Sequence, residues 1–233
     1  MASILGTGDC PPLSSGVQTV LSEYWNCSIC SAVSAYTTLL QGTENIDEVE
    51  NEYIERILFI TRRLSEMVSN ILLLSKLENQ TIAAPRVPFR LDEQIRQSIL
   101  ALETKWTEKD LEFDVVMDEI TYLGNENLMR HVWDNLIGNA IKFSPEKKGI
   151  TIRLYQKEKQ ILFTVEDEGP GFSEDVRNRL FDKFYQEDSS HKQEGNGLGL
   201  ALVKRILAIS KGTVTAENKA EGGCRFTVVL EAV

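Results

Sequence analysis

The feature that most constrains this 233-residue chain is a run of apolar residues in its first third. Tyr53, Ile57, Ile60, Leu64, Met67, Ile71 and Leu74 keep strict 4-3 spacing for three heptads, as a coiled-coil or bundle seam requires. Leu58, Val68, Leu72 and Leu77 widen the stripe. Upstream, residues 17–41 read as a helix with Ile29, Val33, Tyr36 and Leu40 on one face, and residues 41–45 as a turn. One helix cannot bury so broad an apolar face against a short neighbour. A helical hairpin that pairs with a second copy, forming a four-helix bundle, satisfies it. A homodimer through residues 17–78 is therefore expected.

The remaining bulk properties narrow the field. A hydrophobic content of 42% supports a real core. A formal charge of −10 without a dense Lys/Arg cluster argues against a nucleic-acid partner, because phosphate contacts need basic patches. Purely apolar runs are short, such as Ile71 to Leu74, so no membrane segment is expected. Residues 1–16 are rich in Gly, Pro and Ser without a period, and read as a disordered or non-native tail. They lack the basic-then-apolar order of a secretory signal. Cys10, Cys27, Cys30 and Cys224 are then expected as reduced thiols in a cytoplasmic protein.

Cys27 and Cys30 form a C-x-x-C pair, but neither remaining cysteine supplies the partner pair of a zinc site. A thioredoxin-like motif would need a βαβ setting, which the pattern lacks. On a helix the two are simply i, i+3 neighbours.

The texture changes after the linker from Glu78 to Pro88, where Pro85 and Pro88 discourage helix. Phe89–Leu91 reads as a short strand, with Asp92 placed to cap a helix through about Lys105. Residues 111–118 read as a strand, Tyr122–Leu123 as a shorter one, and Asn125–Phe143 as a helix. GITIRLYQ and QILFTVED alternate as two strands about a polar turn. A Gly-rich polar segment spans 168–197, an apolar helix runs to about Ser210, and TVTAENK and CRFTVVL close as a hairpin. Strands and helices mixed without βαβ regularity indicate an α+β fold, a two-layer sandwich with helices covering one face of a mixed sheet. The expected division is a tail (1–16), a helical hairpin (17–84) and a sandwich domain (85–233).

Four short motifs carry possible chemistry. Asn135, Asn139 and Lys142 fall at i, i+4 and i+7 of one helix, which puts two carboxamides and an ammonium on one stripe. Asparagine is a mediocre helix former, so two on one face suggest use. An amide oxygen can ligate Mg²⁺ and a lysine can offset phosphate charge. His131 lies one turn earlier on that stripe. Asp167, Gly169 and Gly171 set a carboxylate at a strand end, followed by glycines that allow a sharp turn and close approach to a ligand. Phe181 and Phe184 can anchor an otherwise polar lid, which also holds His191. Gly195, Gly197, Leu198 and Gly199 lead directly into a helix, where exposed backbone N–H groups favour phosphate. The spacing is neither G-x-G-x-x-G nor a P-loop.

Taken together in this order, Asn135-x-x-x-Asn139, Asp167-x-Gly169-x-Gly171, Phe181-x-x-Phe184 and Gly195-x-Gly197-x-Gly199 resemble the N, G1, F and G2 boxes of bacterial sensor histidine kinases. The preceding hairpin, ending LLLSKLEN, is similar to that family's dimerisation and phosphotransfer domain. The resemblance implies a Bergerat-type ATP-binding sandwich, with Asn139 on Mg²⁺, Asp167 reading adenine and residues 195–199 closing over the phosphates. It also implies ATP as phosphoryl donor and the receiver domain of a response regulator as partner. ATP-hydrolysing relatives are expected to carry glutamate where this chain has Asn135, which favours transfer over hydrolysis. Gln186 stands where many family members have arginine, and Cys224 where a small hydroxyl residue is common.

The family's acceptor histidine is missing. Aligning Ala35–Leu40 with the family's sequence after the acceptor puts Tyr24 at that position, Trp25 in place of the acidic neighbour and Ile29 in place of a proline. The resemblance thus implies a phosphoryl donor without its own acceptor, either truncated, altered near its start or served by a histidine in another chain. A nucleotide-sensing dimeric pseudokinase scaffold is the alternative. A serine kinase of the anti-sigma type is disfavoured, because the long hairpin would be surplus.

Overall fold

The computed structural model describes residues 33, 35, 37–38, 48–79, 85–186 and 197–232. The chain divides into two compact units with the boundary between Leu72 and Leu73, inside its long helix.

In the first unit Val33, Ala35, Thr37 and Thr38 are helical, and the Thr37 hydroxyl donates to the Val33 carbonyl at 2.6 Å. Helix α1 spans Glu48–Glu78. Its apolar stripe divides. Ile54 and Leu58 are buried, whereas Tyr53, Ile57, Ile60 and Leu64 of the 4-3 seam are exposed. Tyr24, Cys10, Cys27, Cys30 and the turn expected at 41–45 lie outside the described residues.

The second unit begins with the end of α1, where Leu74 and Leu77 are buried. There follow β1 (Val87–Arg90), α2 (Leu91–Ala101), α3 (Glu103–Glu108), β2 (Glu112–Met117), β3 (Thr121–Gly124) and α4 (Glu126–Phe143). The chain continues with β4 (Gly149–Lys157), β5 (Gln160–Glu166), α5 (Glu174–Arg179), α6 (Gly199–Ile209), β6 (Thr213–Asn218) and β7 (Cys224–Glu231). β1 and β3 pair antiparallel as a two-stranded sheet. The main sheet has the order β2-β4-β5-β7-β6, parallel between β2 and β4 and antiparallel elsewhere.

Alternation along the strands produces the sandwich. Ile150, Ile152 and Leu154 of β4, Ile161, Phe163 and Val165 of β5, and Phe226, Val228 and Leu230 of β7 are all buried. Helices supply the second layer. Met129, Val132, Trp133, Leu136 and Ile137 of α4 and Leu202, Val203 and Ile206 of α6 are buried, and the Trp133 and Phe163 rings lie 4.7 Å apart. Gln94 ties the layer down, accepting from the Trp133 indole at 2.9 Å and donating to the Glu126 carbonyl at 2.8 Å. The expected mixed sheet with helices on one face is the observed fold.

Asp92 does not cap its helix. Helix α2 starts two residues earlier, at Leu91, with Arg90 at the N-cap position and no side-chain cap bond. Asp92 is fully buried and meets Arg90 at 2.8 Å, Arg96 at 2.9 Å and the Ile120 N–H at 3.2 Å. The Arg90 hydrogen bonds, against the cost of burial, hold its pKa down to about 2. Two other expectations change. The helix breaks at Leu102 instead of reaching Lys105, and the polar segment after residue 168 contains the short helix α5, capped by Ser173 through the Val176 N–H at 3.3 Å.

Candidate functional site

Helix α4 is the axis of the site, and both of its ends are fixed. Asn125 caps its start by accepting from the Leu128 N–H at 2.8 Å. At its other end the Lys109 ammonium donates to the carbonyls of Ile141, Lys142 and Ser144 at 2.8–2.9 Å, a cation matched to the negative end of the helix dipole. Nothing local marks Lys109 for this role, since its partners lie more than thirty residues away.

Asn135, Asn139 and Lys142 are each half-buried on α4. The Asn135 carboxamide donates to the His131 carbonyl at 2.7 Å, and His131 itself is exposed. A methyl group on Gly199 would come within 2.2 Å of the Asn135 carboxamide oxygen. Any larger residue there would push the Asn135 side chain aside, so the first turn of α6 and the asparagine stripe are in close approach.

At the C-terminal end of α4, a methyl on Gly169 would lie 2.8 Å from the Phe143 carbonyl oxygen. The two glycine motifs therefore touch one helix eight residues apart, roughly 12 Å along its axis.

Asp167 continues β5 and is 2% exposed. Its N–H donates to the Cys224 carbonyl at 3.0 Å. Oδ1 accepts from the Gly169 N–H at 2.8 Å and the Cys224 N–H at 3.3 Å, and Oδ2 accepts from the Cys224 thiol at 2.8 Å. The carboxylate is oriented before any ligand arrives. Burial first, then the Asp167 charge, pushes the Cys224 pKa far up. Gly223, at φ +83°, passes so close to the Asp167 carbonyl that a side chain there would collide with it.

The lid motif is tied to the second glycine motif through backbone. Phe184 has a left-handed φ of 61°, and its N–H donates to the Gly197 carbonyl at 2.9 Å. Gly197, at φ +68°, packs on the Phe184 backbone. The expected hydrophobic anchoring holds less well, because the Phe184 ring is 57% exposed. Phe181 is half-buried, with the Lys204 ammonium 5.8 Å from its ring centre. Lys183 pairs with Glu78 at 2.5 Å, and Arg205 of α6 donates to the Leu77 carbonyl at 2.8 Å. Leu198 has its side chain in the core, so it can offer a ligand only backbone. Gly195 and His191 lie outside the described residues, and Gln186 is exposed.

Sequence reasoning also missed Asn218. Its carboxamide accepts from the Phe172 N–H at 3.0 Å and donates to the Phe172 carbonyl at 2.6 Å.

Residues 124–233 match the family described as histidine kinase-, DNA gyrase B-, and HSP90-like ATPase. The heme sensor protein HssS of Staphylococcus saprophyticus is 34% identical over 187 residues, 80% of this chain and 40% of that protein. The sensor protein KdpD of Clostridium acetobutylicum is 32% identical over 195 residues, 82% of this chain and 22% of that one. The chain belongs to the histidine kinase family. Full-length ShkA, solved with AMPPNP, superposes with a TM-score of 0.77 at 25% identity, covering 95% of this chain and 47% of ShkA. The chain thus spans less than half the length of these relatives. Membership gives the buried Asp167 and the asparagine stripe a shared context within the ATPase-family region.

Among the described residues no group of three or more His, Cys, Asp and Glu could hold a metal ion. A cation at this site would rest on the Asn139 amide oxygen together with oxygens of a phosphate ligand. That donor set suits Mg²⁺, which keeps several waters and takes few protein ligands.

Proposed function

We propose that this chain is the ATP-binding part of a sensor histidine kinase, a phosphoryl donor in two-component signalling that lacks its own acceptor histidine. The observation that carries the reading is the pair of close approaches along α4. Gly169 next to Asp167 meets its C-terminal end, and Gly199 meets Asn135 roughly 12 Å away. That separation is the scale of a nucleoside triphosphate.

In this reading Asp167 accepts a hydrogen bond from the adenine amino group, with Gly169 and Gly171 shaping the base pocket. Lys142 faces the phosphates, and residues 195–199 enclose them through backbone N–H groups at the start of α6. Phe181 and Phe184 belong to the lid. Mg²⁺ on Asn139 would neutralise phosphate oxygens as charge develops during transfer. Residues 17–84 form the dimerisation hairpin, residues 85–233 the catalytic domain, and the receiver domain of a response regulator takes the phosphoryl group onward. No helix among the described residues is long and apolar enough to cross a membrane; the chain works as the cytoplasmic part of a receptor.

The test is incubation with γ-labelled ATP of the chain as it stands and of its Tyr24→His variant. Label appearing only on the variant supports a donor missing its acceptor. Label on neither, with ATP bound tightly, favours the pseudokinase scaffold.

A further inference from the structure

The loop after β5 is held at two points. Asp167 is held by Cys224 through the thiol and backbone contacts described above. Five residues on, Phe172 is held by Asn218. Cys224 and Asn218 are themselves direct ladder partners between β7 and β6. The two anchors of the loop are thus adjacent positions at one end of the sheet.

The Asn218 contact has an unusual form. One carboxamide satisfies both the N–H and the C=O of a single residue, as a residue of a neighbouring strand does in an antiparallel pair. Asparagine is suited to this because its side chain carries a donor and an acceptor together. Aspartate would lose the donor to the Phe172 carbonyl. The neighbouring turn is built around the same group, since Gly171 is at φ +72° and a methyl there would sit 2.8 Å from the Asn218 oxygen.

We infer that Asn218 is a positioning residue for nucleotide binding, holding the Glu168–Phe172 loop in its binding shape in the free protein. This rests on the reading that Asp167 and Gly171 form the adenine pocket. Asn218 is exposed at the sheet end, so its bonds compete with water and contribute little to global stability. Their effect falls on the fraction of molecules whose loop is ready for a ligand, and apparent affinity scales with that fraction.

The experiment compares the full chain with its Asn218→Ala, Asn218→Asp and Asp167→Asn variants. Binding of ATP, adenosine and inorganic tripolyphosphate is measured by calorimetry, and amide hydrogen exchange is followed across residues 168–173. Asn218→Ala is expected to weaken ATP and adenosine by the same factor, about five- to tenfold, and to leave tripolyphosphate unchanged. Exchange at the Phe172 amide rises in the free variant. Asn218→Asp, which keeps the acceptor, falls between Asn218→Ala and the parent. Unchanged adenosine affinity in Asn218→Ala, with binding lost in Asp167→Asn, overturns the role of Asn218 and leaves the pocket standing. Adenosine affinity indifferent to Asp167→Asn overturns the pocket, and the inference with it. An equal loss for tripolyphosphate and adenosine also overturns it, marking a general structural defect.

Discussion

The two compact units treat their apolar residues in opposite ways. Beyond Leu73 most large apolar side chains turn inward, and Trp133, Phe163, Leu136 and Ile152 are at most 1% exposed, with Leu100 and Phe184 among the exceptions. Before it, Tyr53 is 61% exposed, Ile60 63% and Leu64 52%. Both stretches follow a clean period, 2 or 3.6 in the sandwich and 3.5 along α1. The difference lies in what each period points toward. The sandwich carries its own second layer, whereas the heptad seam faces outward from a single chain and calls for a partner helix.

The contrast can be broken most forcefully in the sandwich. Trp133→Ala removes a buried indole packed at a tilt against Phe163 and strands the Gln94 oxygen, and should cost about 3–5 kcal/mol in chemical denaturation. A cost near zero would mean that this interior is not packed as described.

Asp92 offers a gentler break. Its pKa is lowered from 3.8 to about 2, so its stabilising contribution is fully present above pH 4 and is lost as pH falls toward 2. The shift corresponds to roughly 2 kcal/mol, reduced to about 1–2 because both arginines are nearly half exposed to solvent. Asp92→Asn should lower stability at neutral pH by that amount and flatten the acid limb of the stability curve between pH 4 and 2. An unchanged acid limb would sink the assignment.

The smallest effect on stability sharpens the contrast from the other side. Ile60→Glu should change the denaturation of the sandwich by less than about 0.5 kcal/mol, because Ile60 is 63% exposed. If the seam pairs two copies, sedimentation should show the parent as a dimer and the variant as a monomer. Retained self-association would remove the seam from the dimer interface.

What was legible in the chain follows the reach of the signal. The ends of β4 and β5 are legible to within a residue, and so is α4 from Asn125 to Phe143, because alternation and helical stripes are local patterns. Asn135 and Asp167 stood out for the same reason. Lys109 and Asn218 did not, because their roles depend on partners 32 to 46 residues away. An asparagine at the end of a strand looks like any turn residue until the fold brings Phe172 beside it. Phe184 erred in the other direction. Its ring suggested an anchor, but the backbone makes the connection, through a left-handed turn that composition does not reveal.

The thiol of Cys224 has a consequence for reactivity. Thiolate is the form that attacks electrophiles, and this sulfur is buried and held protonated beside a carboxylate. While the fold is closed it is a poor nucleophile despite its place next to Asp167. Alkylation must wait for the start of β7 to open, so the rate at which Cys224 is labelled is a clock for local opening of the sheet there.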